Sequence, residues 1–467
     1  MAFSQFLASR RDAAKALVAC LGKHFAYVSI LGTDVGGTRV TVNKNTAAIG
    51  EGGGECGFVI KMQNGGAFYE HSLCDIDDDP EVLCERILAT LTVPRTLTDA
   101  AMRLEPPADE PLVRDFVREN DYKSYTDAQL LDFCRTLKDD ILERDSEHIL
   151  NAVAALSTLT VSKLFISKNR ELSQCYGWAN GFAVAVYRDG EKMVQVREVE
   201  GENDLRTVMA QLPKKIDNLI DKARHLVKAT PITPGVYDVI TAPSITGLIA
   251  HEAFGHGVEM DQFVKERALA KQYVGKYVAS PICNMHDGAA AADSVASFFF
   301  DDDGVLAHDT QIIKDGVLVA GLCDLTSATE LGVPPTGNGR RESFKRKAYA
   351  RMTNTYFEAG KDKLCDMIAS IKHGYMLFET NNGMEDPKNW QIQCTAEYGI
   401  EIVDGKLTEN YVSPVVMSGY VPDLLKSISM VSDDFQVIGA GSCGKGYKEW
   451  VRVSDGGPAL KVRCKLS

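Results

Sequence analysis

Gly247-Leu-Ile-Ala-His251-Glu252-Ala-Phe-Gly255-His256-Gly257-Val-Glu259-Met-Asp261 is the stretch on which the reading of this chain turns. It sets His251, Glu252 and His256 in an H-E-x-x-x-H pattern on an apolar run that Pro243 and Ser244 open as a helix. Two imidazoles suit a borderline metal such as zinc, and a Glu beside the first can act as base on a water the metal activates. The spacing is not the common H-E-x-x-H. At about 100° per residue, positions i and i+5 of an α-helix point roughly 140° apart. Both imidazoles reach one ion only if the helix ends, breaks or carries a π-type bulge between them. Gly255 and Gly257, on either side of His256, make such a distortion cheap.

Upstream of this helix, Pro231-Ile-Thr-Pro234-Gly235 reads as a domain boundary. It divides an N-terminal α+β domain, 1–232, from a β-rich C-terminal domain, 233–467, that carries the metal helix. The first part opens with an amphipathic helix over 2–22. Short strands follow at 27–31, 39–42 and 57–61, with glycine turns at Gly52-Gly54 and Asn64-Gly66. Helices are expected at 81–92, 110–119, 126–141 and 145–156, with Asp79-Pro80 and Thr126-Asp127 as N-terminal signals. Strands return at 163–166, 181–187 and 193–197, the last two joined by a turn at Asp189-Gly190, before a helix over 202–228. The second part predicts strands at 236–241, 297–300, 349–358, 390–395, 398–403, 434–438 and 447–453, and a hairpin around Lys314-Asp-Gly316. Asp301-Asp-Asp-Gly304 reads as a turn, because Phe299 stands where a calcium loop needs an acid.

Composition narrows the function classes. The 467 residues carry 64 acidic against 51 basic side chains, a net charge of −13. No Lys/Arg-rich run is present, which argues against a nucleic-acid partner. No apolar run is long enough to span a bilayer, and the mixed charges of Arg10, Arg11, Asp12 and Lys15 do not read as a secretory signal. Twelve cysteines are scattered without a C-x-x-C pair, so reduced thiols and a cytoplasmic location are expected.

Gly439-Ala-Gly-Ser-Cys443-Gly-Lys445-Gly446 matches two nucleotide-binding patterns and satisfies neither. Gly446 stands where a phosphate loop needs Ser or Thr, and the following Tyr447-Val453 reads as a strand instead of a helix. The segment does offer Cys443 as a third metal ligand, since catalytic zinc commonly has three protein ligands. On spacing alone the other eleven cysteines, Glu259, Asp261 and His286 compete for that role.

Three separated segments resemble one family. His251–Asp261, then Pro335-Thr-Gly-Asn-Gly-Arg-Arg-Glu-Ser343 with Arg351-Met-Thr-Asn-Thr-Tyr356, then Cys443-Gly-Lys-Gly446 with Gly456-Gly-Pro-Ala-Leu460 resemble the TldD/PmbA metallopeptidases, in particular the TldD-type catalytic subunit. The resemblance implies one zinc ion held by His251, His256 and Cys443, with Glu252 as catalytic acid/base. It implies cleavage of short or unfolded peptides laid as an added strand along a sheet. It also implies a homodimer, or a heterodimer with a non-catalytic paralogue. Asn381–Lys388 and Tyr447 depart from the family pattern. Arg340 and Arg341, with Asn338 beside them, are the candidates for substrate contact and oxyanion stabilisation. Two alternatives remain: a dipeptidyl-peptidase-III-like zinc exopeptidase, which shares H-E-x-x-G-H but takes a carboxylate as third ligand, and a non-catalytic scaffold stabilised by its metal.

Overall fold

A computed structural model describes residues 3–64, 67–77, 79–91, 105–119 and 121–467. The first sheet has seven strands: β1 Tyr27–Asn43, β2 Ala47–Asn64, β3 Ala67–Leu73, β4 Leu112–Val117, β5 Ile149–Ser167, β6 Arg170–Asp189 and β7 Lys192–Glu202. Their order is β3-β2-β1-β5-β6-β4, with β7 also on β6. The long central strands are buried on both faces, because alternate residues point opposite ways. Ile30, Leu164 and Ile166 meet the helices Gln5–Leu21 and Pro80–Thr90, while Leu31 and Phe165 face Phe300 of the second half. The helices Asp127–Arg144 and Ile216–Leu226 cover the other end, packing Leu137, Ile141, Leu219 and Ala223 onto Ala152, Ala154, Ala183 and Ala185. Small side chains on the strands leave room for the helices to lie close.

The fold is α+β, as expected, but two expected helices are strands. Residues 145–156 contain an alanine-rich run that favours helix in isolation. Here Ala152, Ala154 and Leu156 are buried at period two, and the run pairs along its length with β6. Residues 110–119 give the edge strand β4, parallel to β6, a pairing no local pattern announces. The glycines at 52–54 lie inside β2, opposite a bulge at Gly36/Thr38, and the hairpin turns at Lys44–Thr46 instead. Asn43 Oδ1 caps that turn by accepting from the backbone N–H groups of Asn45 and Thr46. The expected strand at 297–300 is reduced to a single bridge, Phe300 with Leu306. Gly65, Gly66 and residue 92 of the expected second helix lie outside the described residues. Thr126 caps its helix as read, in a reciprocal capping box with Gln129.

In the second half the strands Gly235–Thr241, Leu460–Leu466, Val415–Tyr420, Gln391–Val403 and His373–Asp386 pair in that order, and the last pairs back with the first. Closing the ring removes its edges and encloses an apolar interior that includes Val239, Leu377, Met417 and Val462. A separate six-stranded sheet ends on the strand Gln436–Lys445, which among the described residues pairs only with Glu449–Gly457. Among the described residues no helix is long and apolar enough to cross a membrane.

The two halves also meet where β7 crosses the Gln436–Lys445 strand. A Cβ on Gly201 would lie 2.2 Å from the Gly439 carbonyl oxygen, and one on Gly439 would lie 2.5 Å from that of Gly201. Neither backbone can retreat without moving a sheet. Gly201→Ala is therefore expected to cost about 1–3 kcal/mol, the range for overpacking a tight contact. An unchanged denaturation midpoint would show that this crossing is loose.

Candidate metal centre

The chain leaves the strand Gly235–Thr241, turns at Ala242 and enters the α-helix Pro243–Leu248. Thr246 Oγ1 donates to the Pro458 carbonyl at 2.7 Å and so ties the helix start to the Gly456–Leu460 segment. From Ile249 to Gly255 the helix widens into a π-helix, then tightens into a 3₁₀ turn over His256–Val258. This is the distortion that the i, i+5 spacing requires. With i→i+5 hydrogen bonds, residues five apart come onto one face.

The glycines contribute differently from the expectation. Gly255 sits at φ −61°, ψ −43°, ordinary right-handed helix, so its conformational freedom is not what matters. Its missing Cβ is. A Cβ there would lie 2.0 Å from Met352 Sδ and 2.9 Å from the Ala250 carbonyl oxygen. At Gly257 a Cβ would lie 2.5 Å from Glu385 Oε1 and 2.8 Å from Trp390 Nε1.

His251, His256 and Cys443 converge, with one donor atom from each lying within 4.8 Å of the others. Cys443 Sγ is 3.6 Å from His256 Nε2, and the imidazole rings stand nearly perpendicular at 5.2 Å. Among the described residues, both ring nitrogens of the buried His251 lack a hydrogen-bond partner. Orphaned polar atoms of this kind are costly in a protein interior unless something else occupies them. A divalent cation between two imidazoles and a thiolate answers that need, and the donor set suits zinc. Burial pushes the Cys443 thiol up, but His256 and His251 pull it further down, to well below the ordinary thiol value.

Outer contacts hold the donors in place. Glu259 Oε2 accepts from His256 Nδ1 at 3.0 Å, which leaves Nε2 facing Cys443. Lys445 Nζ donates to Glu259 at 2.9 Å, to Asp261 at 2.7 Å and to the Ala350 carbonyl at 2.8 Å. The lysine of the misleading phosphate-loop pattern is thus a buried clamp between the Cys443 strand and the metal helix. Arg351, fully buried, donates from Nη2 to the Cys443 carbonyl at 2.7 Å and from Nη1 to that of Glu449 at 3.2 Å. Of the competing ligands, Glu259 and Asp261 serve this clamp, and His286 lies elsewhere between Asp309 and Glu358.

Glu252 stands at the edge of the donor group. Its carboxylate is 3.6 Å from His256 Nε2 and 3.9 Å from His251 Nε2, and its side chain is 22% exposed. It faces a cleft of about 1120 Å³ between β7, the Cys443 strand and residues 379–384. A Cβ on Gly383 would lie 2.6 Å from both Cβ and Cγ of Glu252, so that strand passes directly against the acid. Asp455 also lines the cleft, and burial pushes its carboxyl up to about 6. Sequence reasoning missed Gly383 and Asp455, and it did not assign Arg351 or Glu385 a role. The available signals were the place of Arg351 at the head of a family-like segment and of Gly383 and Glu385 in the segment where the family pattern lapses.

The three candidates for substrate contact are not beside the donors. Asn338 is fully buried and donates to Asp287 Oδ1 and to the Arg351 carbonyl. Arg341 pairs with Glu70, and Arg340 donates to the Met352 and Arg452 carbonyls. Arg340 and Arg341 line a different cavity from that of the donors.

The family profile described as the PmbA/TldA metallopeptidase C-terminal domain matches residues 234–465. A zinc metalloprotease TldD homolog of Saccharolobus solfataricus is 30% identical over 308 residues, covering 64% of this chain and 67% of that protein. The chain belongs to the PmbA/TldD metallopeptidase family. A metalloprotease TldD homolog of Haemophilus influenzae is 35% identical over 237 residues, 50% of this chain and 49% of that one. The chain thus spans about half to two thirds of the length of the curated relatives it matches. The crystal structure of TldE from Thermococcus kodakarensis superposes with a TM-score of 0.76 at 19% identity, covering 97% of this chain and all of that one. A solved chain from Thermotoga maritima gives 0.78 at 17% identity, covering 98% and 99%. At these identities the structural likeness carries the fold alone, so the PmbA/TldD architecture extends over the first half as well.

If the missing Cβ at 255 is what lets Met352 support the widened turn, Gly255→Ala should displace His256 from the donor group. Dialysed Gly255→Ala protein is expected to hold far less zinc than the wild type by elemental analysis. Equal zinc content would remove Gly255 from the account of the site.

Proposed function

We propose that this chain is a zinc-dependent peptidase acting on short or unfolded peptides. The observation that carries the reading is the convergence of His251, His256 and Cys443 beside Glu252 on the wall of an open cleft. Structural zinc sites are normally closed by four protein ligands, and a three-donor group opening onto a cleft supports catalysis over a scaffold role. A thiol as third donor separates the site from the dipeptidyl-peptidase-III arrangement, which takes a carboxylate there. The family membership and the relatives' names support the same reading.

His251, His256 and Cys443 would hold the ion. When bound, zinc supplies a Lewis acid that lowers the pKa of water and polarises a carbonyl. The chain's own residues supply the rest. Glu252, from Oε1 or Oε2, takes the proton of the attacking water and returns it to the departing amine. The Gln436–Lys445 strand is a sheet edge along the cleft, a position that suits an extended peptide added as one more strand. Glu259 keeps Nε2 of His256 turned toward the donors.

The proposal includes assembly of two chains, either two copies or one copy with a paralogue lacking the histidine motif, on the strength of the family resemblance. It also includes a cytoplasmic location, supported by twelve free cysteines. Light scattering of the purified chain, alone and with its paralogue, reads the assembly directly.

Two substitutions separate binding from chemistry. Glu252→Gln should retain one zinc per chain and lose about 10²-fold or more in peptide cleavage, the lower range for a general base. Cys443→Ala should lose the metal itself. Wild-type cleavage rates in Glu252→Gln would end this mechanism. Gly383→Ala should also slow cleavage at full zinc content, because its methyl would press on the Glu252 side chain and not on the donors.

A further inference from the structure

A second cavity, of about 450 Å³, lies between the first sheet and the Cys443 strand. Ser442 and Trp450 line both this cavity and the catalytic cleft, so the two adjoin. Its volume suits one or two amino-acid residues. Aromatic rings wall it, and three arginines line it, Arg340, Arg341 and Arg452. The Arg452 guanidinium lies 4.6 Å from the Trp178 ring centre, and that of Arg340 lies 5.6 Å from Phe298.

Arg340 and Arg452 differ from the other cations nearby. Lys163 is paired with Asp302, and Arg341 with Glu70. Among the described residues, the hydrogen-bond acceptors of Arg340 and Arg452 are all neutral. Arg340 donates to the Met352 and Arg452 carbonyls, and Arg452 donates from Nη2 to the Gly439 carbonyl and Asn180 Oδ1. Arg452 Nε is buried without a partner, and among the described residues Nη1 donates to none. Burial alone lowers Arg452, to about 10, with no carboxylate drawing it back.

The lining acids are mostly engaged already. Asp301 accepts from the backbone N–H groups of Asp303, Val305 and Gly339, and Glu342 accepts from that of Trp450. Asp302 pairs with Lys163, and among the described residues none of the lining acids hydrogen-bonds to Arg340 or Arg452. A desolvated guanidinium without a counter-ion is costly, and a ligand carboxylate relieves that cost.

We propose that this cavity is a carboxylate subsite of the cleft, in which Arg452, backed by Arg340 and walled by Trp178, receives a carboxylate of the bound peptide. The inference rests on the peptidase reading for the peptide and on the cavity for the charge. The carboxylate belongs either to an acidic side chain or to the peptide's C-terminus, and both present the same planar acceptor to arginine.

The test uses the full zinc-loaded chain and short peptides in matched pairs: Glu against Gln at each position, and free acid against C-terminal amide. Cleavage is followed with the wild type, and binding with Glu252→Gln through tryptophan fluorescence, since two of the three tryptophans line the cavity. One pair should differ about tenfold in kcat/KM and in Kd, the lower range for a charged hydrogen bond, and which pair differs identifies the source. Arg452→Gln should abolish that difference. The wild-type comparison stands even if this variant fails to fold. Equal behaviour of both pairs on wild-type protein overturns the subsite, and if cleavage still requires Glu252 the peptidase reading survives. Preferential binding of the acid form by a chain that cleaves nothing keeps the subsite and removes the peptidase.

Discussion

An imidazole pair five residues apart can face one point only where the helix that carries it is widened, and between Ile249 and Gly255 this chain widens it. Everything near the site accommodates that turn. Met352 fills the space left by the missing Cβ of Gly255, and Glu385 and Trp390 press on Gly257. Glu385 accepts from the Gly257 N–H at 2.9 Å, and Trp390 stacks on Phe254 at 5.7 Å. The widened turn is therefore held by tertiary contacts from both sides. A helix free in solution would have no reason to keep it, since most helical stability in proteins comes from packing.

The second constraint is a set of buried charges that spans the sequence. Lys445 links the Cys443 strand to Glu259 and Asp261 just beyond the metal helix, and Arg351 holds the carbonyl of Cys443 itself. Removing one member of such a set leaves the others buried and unpaired, which costs more than the pair contributes. The segments that read as family signatures are mostly this support. Asp287 accepts from Asn338, Thr353 and Thr355, joining Pro335–Ser343 and Arg351–Tyr356 in one buried cluster behind the donors.

The site was legible because its residue types are rare and its geometry follows from spacing. His251, Glu252 and His256 announced a metal, and their spacing announced a distorted helix. Cys443 was one of twelve thiols, and only the resemblance separated it from the rest. Arg351, Gly383 and Glu385 lay in segments set apart by the resemblance but carried no sign of their roles, because an arginine under a carbonyl or a glycine beside a carboxylate is defined by what lies opposite. The same limit explains the helices expected at 110–119 and 145–156. Alanine-rich and mixed segments follow the partner strand that β6 supplies, and that pairing is remote in sequence.

The sequence by itself determined which chemistry is available: two imidazoles, an adjacent carboxylate and a helix that must depart from α geometry, since residue type and angular spacing are local properties. Tertiary structure decided which cysteine joins them, which nitrogen of His256 faces inward, and that Arg340 and Arg452 share a cavity beside the cleft. Those outcomes depend on the approach of strands hundreds of residues apart, and backbone contacts such as Gly201 with Gly439 set that approach.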